Sequence, residues 1–302
     1  MSDWRDDLIR FMPPAVRRRA QDLSEEQAQA LVEIRLRAGQ SVEWVTARQG
    51  AFVLEWRPGP ADIQAFLAAL CEHSLYARQD ELCQGFLTVR GGHRVGVCGR
   101  AAMQDGRIAG LHLVSSLCIR IARPVLGAAD GLMPLLFSPQ GRPRSTLVLS
   151  APGCGKTTVL RDAIRQLSEG RGLHVCVADE RSELCGVADG VPQMPVGSRT
   201  DVLDGCPKAK AMQMLLRAMN PDWIVTDEIG RKQDAGAVLE ALRCGVAVLA
   251  SAHADSIETL KGRPALQKLM EARAFDGYVL LGERGRIMGS YDAAGRGGEG
   301  AI

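Results

Sequence analysis

Ser150-Ala151-Pro152-Gly153-Cys154-Gly155-Lys156-Thr157-Thr158 stands between an apolar run, Ser145 to Leu149, and a segment of helical periodicity reaching about Leu167. Strand, glycine-rich loop and helix in that order make a phosphate cradle. Glycines let backbone N–H groups turn inward around an anion, and the helix that follows points its partially positive end at the same charge. Gly153 and Gly155 supply the backbone freedom. Lys156 is placed to reach β- and γ-phosphates as a point charge, Thr157 to offer its hydroxyl to Mg²⁺, and Thr158 to hydrogen-bond an α-phosphate. ATP and Mg²⁺ are therefore the expected ligands, with Ser150 to Thr158 as the binding loop. The pattern G-x-x-x-x-G-K-[ST] begins with glycine, whereas this chain has Ser150 at that place. That departure touches the geometry of the first turn and leaves the later donors intact.

At 302 residues, 46% hydrophobic and 24% charged, the chain has material for two cored domains. Its net charge of +2 conceals an asymmetry: residues 1–144 carry 18 Arg, no Lys and 15 Asp or Glu, for +3, and the rest carries −1. Neither half has the strong basic excess of a nucleic-acid binder, so nucleic acid is not an expected partner. No apolar run approaches the ~20 residues needed to span a bilayer, and the charged opening Met1 to Arg10 lacks a signal-peptide core. A cytoplasmic location is expected. Nine cysteines stand singly, with no C-x-x-C pair to suggest zinc or redox chemistry. Cys154, inside the loop at a helix start, is the one expected to react with thiol reagents.

Three divisions follow from local pattern. Residues 1–125 read as an α+β domain. Asp3 to Ala38 has helical spacing, with Leu8, Ile9 and Phe11, then Leu31, Ile34 and Leu36, broken at Pro13-Pro14. Val42 to Val45 and Ala51 to Trp56 alternate around Arg48-Gln49-Gly50 as a hairpin, and Ile63 to Leu75 returns to helix. Phe86 to Val89, Arg94 to Cys98 and Ser116 to Ile121 are strand-like, separated by Gly91-Gly92 and a turn at Gln104-Asp105-Gly106. Residues 126–144, with Pro134, Pro139 and Pro143, read as a linker. From 145 to 291 strands alternate with helices: Thr146 to Leu149, His174 to Ala178, Trp223 to Thr226 and Val246 to Ala250 are the strands. That rhythm predicts an α/β fold, a RecA-like P-loop core with a mostly parallel sheet, behind the smaller α+β domain. The glycine-rich 292–302 reads as a flexible tail.

Within the second half, Trp223 to Thr226 runs into Asp227 and Glu228, a buried strand ending in two carboxylates. Asp227 is the expected metal-shell ligand. Glu228 is the expected base that orients and deprotonates water. After the second strand, Asp179-Glu180-Arg181-Ser182-Glu183 forms an acidic box that either joins the metal and water network, with Glu183 as a catalytic candidate, or caps a helix. Ser251 and His253 follow another strand, and the carboxyl ends of strands face the ligand in open α/β sheets, so either residue is a candidate γ-phosphate sensor.

These boxes, with Arg217 to Asp222 leading into the Walker B pattern Trp223 to Glu228 and a histidine after the next strand, resemble the type II/IV secretion ATPase superfamily. More narrowly, Glu33 to Arg37, Gly85 to Gly92, Arg94 to Arg100, Ile119 to Arg123, Ala178 to Glu183 and Ser198 to Asp204 resemble the stage III sporulation protein AA family over almost the whole chain. The resemblance implies a cytoplasmic mother-cell ATPase of endospore formers, peripheral at the membrane, a homohexameric ring working with membrane-embedded channel proteins. Rings of this kind bind ATP between subunits, so a neighbour's arginine can stabilise charge on the transferring phosphoryl. Arg181, Arg199 and Arg217, near the ligand edge in sequence terms, and Arg120 and Arg123 are the candidates.

Two other readings stay open at this level: a nucleic-acid-dependent ATPase on the same core, and a nucleotide-gated scaffold with negligible turnover. Against the first stand the small basic excess and the absence of an aromatic-basic stripe among only 13 aromatic residues.

Overall fold

The computed structural model describes residues 3–47, 50–72 and 74–297; Arg48 and Gln49 of the expected hairpin turn lie outside them. The chain divides into two compact units, one running up to Arg123 with Gly186–Gln193 added, the other Pro124–Cys185 with the residues from Met194 onward.

In the amino-terminal unit, three short helices, α1 (Trp4–Leu8), α2 (Pro14–Gln21) and α3 (Glu25–Ala30), lead into β1 (Leu31–Arg37), β2 (Val42–Thr46) and β3 (Gly50–Leu54). Ser24 caps α3 and Gln27 caps back, which closes a capping box. The helical spacing read through Ala38 is corrected at Leu31. From Ile34 onward burial alternates, with Ile34 and Leu36 buried and Glu33, Arg35 and Arg37 on the other face, the period of a strand rather than a helix. The opposite charges on that second face pair, Arg35 with Glu33 at 2.7 Å and Arg37 with Glu43 at 3.0 Å. After α4 (Pro60–Leu70) and α5 (Gln79–Cys83) come β4 (Phe86–Val89), β5 (His93–Gln104) and β6 (Arg107–Arg120). The last two are longer than their apolar segments suggest. They meet at Asp105 and Gly106, both with positive φ, opposite the Gln104–Arg107 pair, the two-residue turn whose twist suits a hairpin. The antiparallel sheet runs β3-β2-β1-β6-β5-β4, and Leu8, Val16, Ile34, Trp44, Phe66 and Ile119 build its core.

In the second unit, β7 (Thr146–Ser150), α6 (Lys156–Arg165) and β8 (Val175–Asp179) are followed by the small hairpin β9 (Val187–Ala188) and β10 (Val191–Pro192), which belongs to the first unit. Next come β11 (Thr200–Asp204), α7 (Lys208–Ala218), β12 (Trp223–Thr226), α8 (Lys232–Arg243), β13 (Ala247–His253), α9 (Glu258–Lys261), α10 (Pro264–Glu271), β14 (Gly277–Leu281) and β15 (Ile287–Asp292). The sheet order is β11-β8-β12-β13-β7-β14-β15, parallel except for β15. Strands β7, β8 and β12 are buried at every residue, as expected of parallel strands covered on both faces.

Two boundaries differ from the sequence reading. The segment 126–144 packs into the second unit: Ala129, Leu132 and Leu136 are buried, and the Ala129 amide donates to Asp162 Oδ2 at 2.9 Å. Three prolines shorten its regular structure without freeing it. At the other end, Asp292 closes β15, pairs with Arg296 at 2.8 Å, and Gly297 bridges to Tyr291, so 292–297 is ordered by its own contacts. Among the described residues, no helix is long and apolar enough to cross a membrane.

Candidate active site

Register brings the candidate residues to one sheet edge. His253 lies opposite Ser150, Ala250 opposite Thr226, Thr226 opposite Ala178, and Asp204 opposite Asp179. Because these strands are parallel, their carboxyl ends coincide, and so do the loops that carry charge.

The loop after β7 is built on two left-handed glycines, Gly153 with φ +77 and Gly155 with φ +92. A side chain at Gly155 would also put its Cβ 3.1 Å from the backbone nitrogen of Gly285. That nitrogen donates to the Cys154 carbonyl at 2.7 Å, so the turn between β14 and β15 braces the loop. Ser150 is not among the positive-φ residues. It ends β7 in ordinary strand backbone, so the first glycine of the usual pattern is not required there. Thr157 and Thr158 are half-buried on the first turn of α6, with Ala151 and Pro152 exposed ahead of them.

Lys156 is buried, and its Nζ contacts Ser150 O at 3.2 Å, Ser150 Oγ at 3.0 Å, Ala151 O at 3.3 Å and His253 Nδ1 at 2.9 Å. Burial lowers its pKa, while the charge of Glu228 opposes that shift. His253 Nε2 in turn lies 2.7 Å from Glu228 Oε1. The backbone amide of Glu228 donates to Ser251 Oγ at 3.0 Å. Ser251 is thus a buried support for Glu228. Of the two candidate sensors, Ser251 is the one whose Oγ accepts an amide from the neighbouring strand end.

Asp227 is buried, which raises its carboxyl pKa; Lys208 beside it pulls the value back down, and Glu183 pushes it up. Asp179 is fully buried and accepts from the amides of Glu183, Leu184 and Cys185. Burial nevertheless dominates and pushes its carboxyl up to about 6. Of the two readings of the acidic box, Asp179 folds the loop after β8, and Glu183 is near enough to act on Asp227 electrostatically. Glu180 and Arg181 line an open cleft with Lys208, Asp227 and Glu228.

The arginines divide. Arg181 borders the site. Arg199 precedes β11 at the start of β8, where its amide carbonyl accepts from Val175 and its guanidinium donates to Gly172 O at 2.9 Å. Arg217 sits in the last turn of α7, exposed, at the end opposite Lys208. Both lie at the amino edge of the sheet, which corrects their placement near the ligand edge: β11 runs toward that edge and α7 runs back from it. In the amino-terminal unit, Arg123 donates to Leu31 O at 2.6 Å and Ala28 O at 2.7 Å, holding the end of α3, while Arg120 is exposed and 3.4 Å from Glu33.

Lys208 is the site residue that sequence reasoning missed. Its only local signal is a lysine directly after Pro207 at a helix start, where an acid is the more favourable choice.

The donor set fits a magnesium nucleotide. Left-handed glycines and a helix amino terminus offer N–H groups to phosphate, Lys156 and the hydroxyls of Thr157 and Thr158 follow, and the Asp227 carboxylate offers hard oxygen to a divalent cation.

Comparison with known proteins gives consistent results. A model of the protein family described as sporulation stage III, protein AA matches residues 2–297. Stage III sporulation protein AA of Bacillus subtilis (strain 168) is 39% identical over 297 residues, covering 96% of each chain. Among solved structures, the ATPase DotB of Legionella pneumophila superposes with TM-score 0.57 at 16% identity, over 89% of this chain and 76% of that one. The pilus retraction motor PilT with bound ADP gives 0.56 at 18%, over 85% and 76%. At such identities these two show the fold, a RecA-like core.

Proposed function

Starting from the premise that this chain belongs to the sporulation stage III protein AA family, we propose that it is an ATP-hydrolysing motor of the secretion-ATPase type. It would work as a homohexameric ring on the cytoplasmic side of a membrane, in the mother cell, and energise a channel-like complex of membrane-embedded proteins. The observation that carries the reading is the side-chain chain Lys156–His253–Glu228, with its 2.9 Å and 2.7 Å contacts beside Asp227 on one sheet edge. Through His253 it joins an amine placed to bind phosphate to the carboxylate that would act on water.

Bound Mg²⁺-ATP would supply the electrophilic phosphorus and the metal charge that neutralises the phosphate oxygens. The chain's own residues supply the rest. Amides of the loop from Gly153 to Lys156 hold phosphate, and Lys156 Nζ carries a fixed positive charge to it. Thr157 Oγ1 and Asp227 hold the metal side, and Thr158 binds further along the loop. Glu228 accepts a proton from water at its carboxylate, and His253 holds that carboxylate in place. Glu183 adds negative charge beside Asp227. A motor role finds support in connectivity: one residue past Cys185, where the Asp179-held loop ends, the chain passes into the amino-terminal unit for Gly186–Gln193.

The test is ATP hydrolysis as a function of protein concentration, beside Glu228→Gln, with assembly followed by light scattering and with or without single-stranded nucleic acid. A Glu228-dependent rate that rises with assembly and ignores nucleic acid is expected. Stimulation by nucleic acid would favour the nucleic-acid-dependent ATPase, and tight binding without turnover would favour the nucleotide-gated scaffold.

A further inference from the structure

We propose that Lys208 is a positioning residue that fixes the backbone on which the carboxylate of Glu228 is presented. This rests on the reading of Glu228 as the residue acting on water. The Lys208 side chain is only 9% exposed and runs from the start of α7 beneath the end of β12. Its Nζ lies 2.6 Å from Asp227 O, 3.1 Å from Asp227 Oδ1 and 3.3 Å from Glu228 O. An ammonium has three donors, and two of these three acceptors are the successive carbonyls on either side of the Glu228 nitrogen and α-carbon. Lys208 thus holds two backbone carbonyls in addition to its ion pair with Asp227.

The backbone held in this way is one that needs holding. Glu228 has φ +37, in the left-handed region that costs a residue with a side chain roughly 1–2 kcal/mol. Such conformations persist where the surroundings over-determine them. Here the amides are fixed from one side, Glu228 N–H on Ser251 Oγ at 3.0 Å and Ile229 N–H on Ser251 O at 2.8 Å, and the carbonyls are fixed from the other by Lys208. The peptide can then direct the Glu228 side chain in one way, toward His253. Glu180 extends the arrangement outward, 3.9 Å from Lys208 Nζ and 3.3 Å from Arg231. Besides its ion pair with Asp227 Oδ1, Lys208 reaches Glu228 through the backbone carbonyl and not through the carboxylate, so it acts on Glu228 by placement. Displacement of an otherwise intact group by about 1 Å can cost on the order of 10²-fold in rate.

The experiment uses the full chain with Mg²⁺-ATP and compares wild type, Glu228→Gln, Lys208→Met and Lys208→Arg. Steady-state hydrolysis and nucleotide affinity are measured together with amide hydrogen exchange of the segment around Glu228 and Ile229. Expected results are a kcat lowered about 10²-fold in Lys208→Met, KM and nucleotide affinity near wild type, and faster exchange at Glu228 and Ile229. Lys208→Arg, which keeps the donors, should recover part of both. Wild-type kcat or unchanged exchange in Lys208→Met would overturn the proposal, as would a loss of nucleotide affinity parallel to the loss of rate. A wild-type chain without turnover would overturn the ATPase reading instead, and the exchange at Glu228 would still decide whether Lys208 pins it.

Discussion

His253 Nε2 lies 2.7 Å from Oε1 of Glu228. For that nitrogen to donate, the neutral ring must carry its proton on Nε2, which leaves Nδ1 as the acceptor for Lys156 Nζ at 2.9 Å. One tautomer therefore satisfies both contacts. His253→Ala would release the carboxylate without touching the loop amides, so ATP turnover should fall about 10²-fold with nucleotide affinity largely kept. Parallel titrations of rate and nucleotide affinity check this; equal losses in both would move His253 to a binding role.

Asp179 gives a pH signature. Its carboxyl is pushed up to about 6 by burial, above an ordinary value of 3.8. Between those values the folded chain holds a proton that the unfolded chain has released. The stability from this group is therefore fullest below the ordinary value and is lost as pH rises through about 6. Asp179→Asn removes the titration. Its absolute stability should be lower by about 1–3 kcal/mol, since an amide accepts fewer of the three N–H bonds, but denaturation midpoints should fall less steeply between about pH 4 and 7 than in wild type.

Gly155→Ala tests the brace on the phosphate loop. The substitution imposes a left-handed backbone at φ +92 and a Cβ 3.1 Å from Gly285 N, a cost of about 1–2 kcal/mol from the backbone alone. Nucleotide binding measured by calorimetry should be lost or greatly weakened while the far-ultraviolet dichroism stays that of wild type.

Cys154, half-buried in the same loop, is expected to be alkylated with loss of nucleotide binding, and ATP should protect it. Mass spectrometry of the peptide after limited labelling checks this. Labelling of Cys154 at one rate with and without ATP would refute occupancy of the loop.

Arg123→Ala separates a structural arginine from a catalytic one. The carbonyls of Leu31 and Ala28 lose this donor, so stability should fall by about 1–3 kcal/mol with kcat unchanged. Mixed with Glu228→Gln subunits, it should show no complementation beyond that of wild type.

How much of this could be read from sequence depends on how local each cause is. The Trp223–Thr226 strand is found at its expected bounds because four consecutive buried residues end abruptly at two acids. The Asp105-Gly106 turn was legible for a similar reason: two residues suited to positive φ lie between runs of strand propensity. Leu31 to Arg37 misled because apolar residues at 31, 34 and 36 satisfy a helical spacing almost as well as an alternating one. Pairing with β2 and β6, which no local pattern contains, decides the matter. Arg199 and Arg217 misled because nearness in sequence to a ligand-edge motif carries no direction. Parallel strands and antiparallel returning helices put Arg199, just before a strand start, and Arg217, in the last turn of a helix, at the opposite edge.

The sequence by itself determined the glycine-rich turn between β7 and α6, the strand that ends at Asp227 and Glu228, and the alternation of strands with helices, since each follows from glycine freedom, burial period or residue chemistry within a few neighbouring positions. Only the tertiary structure decided that Ser150, Asp179, Asp227 and His253 end at one edge, that His253 joins Lys156 to Glu228, and that Lys208 reaches beneath β12 to hold a left-handed glutamate. These depend on strand order and register, which hydrogen bonding between distant segments sets and which no window along the chain contains.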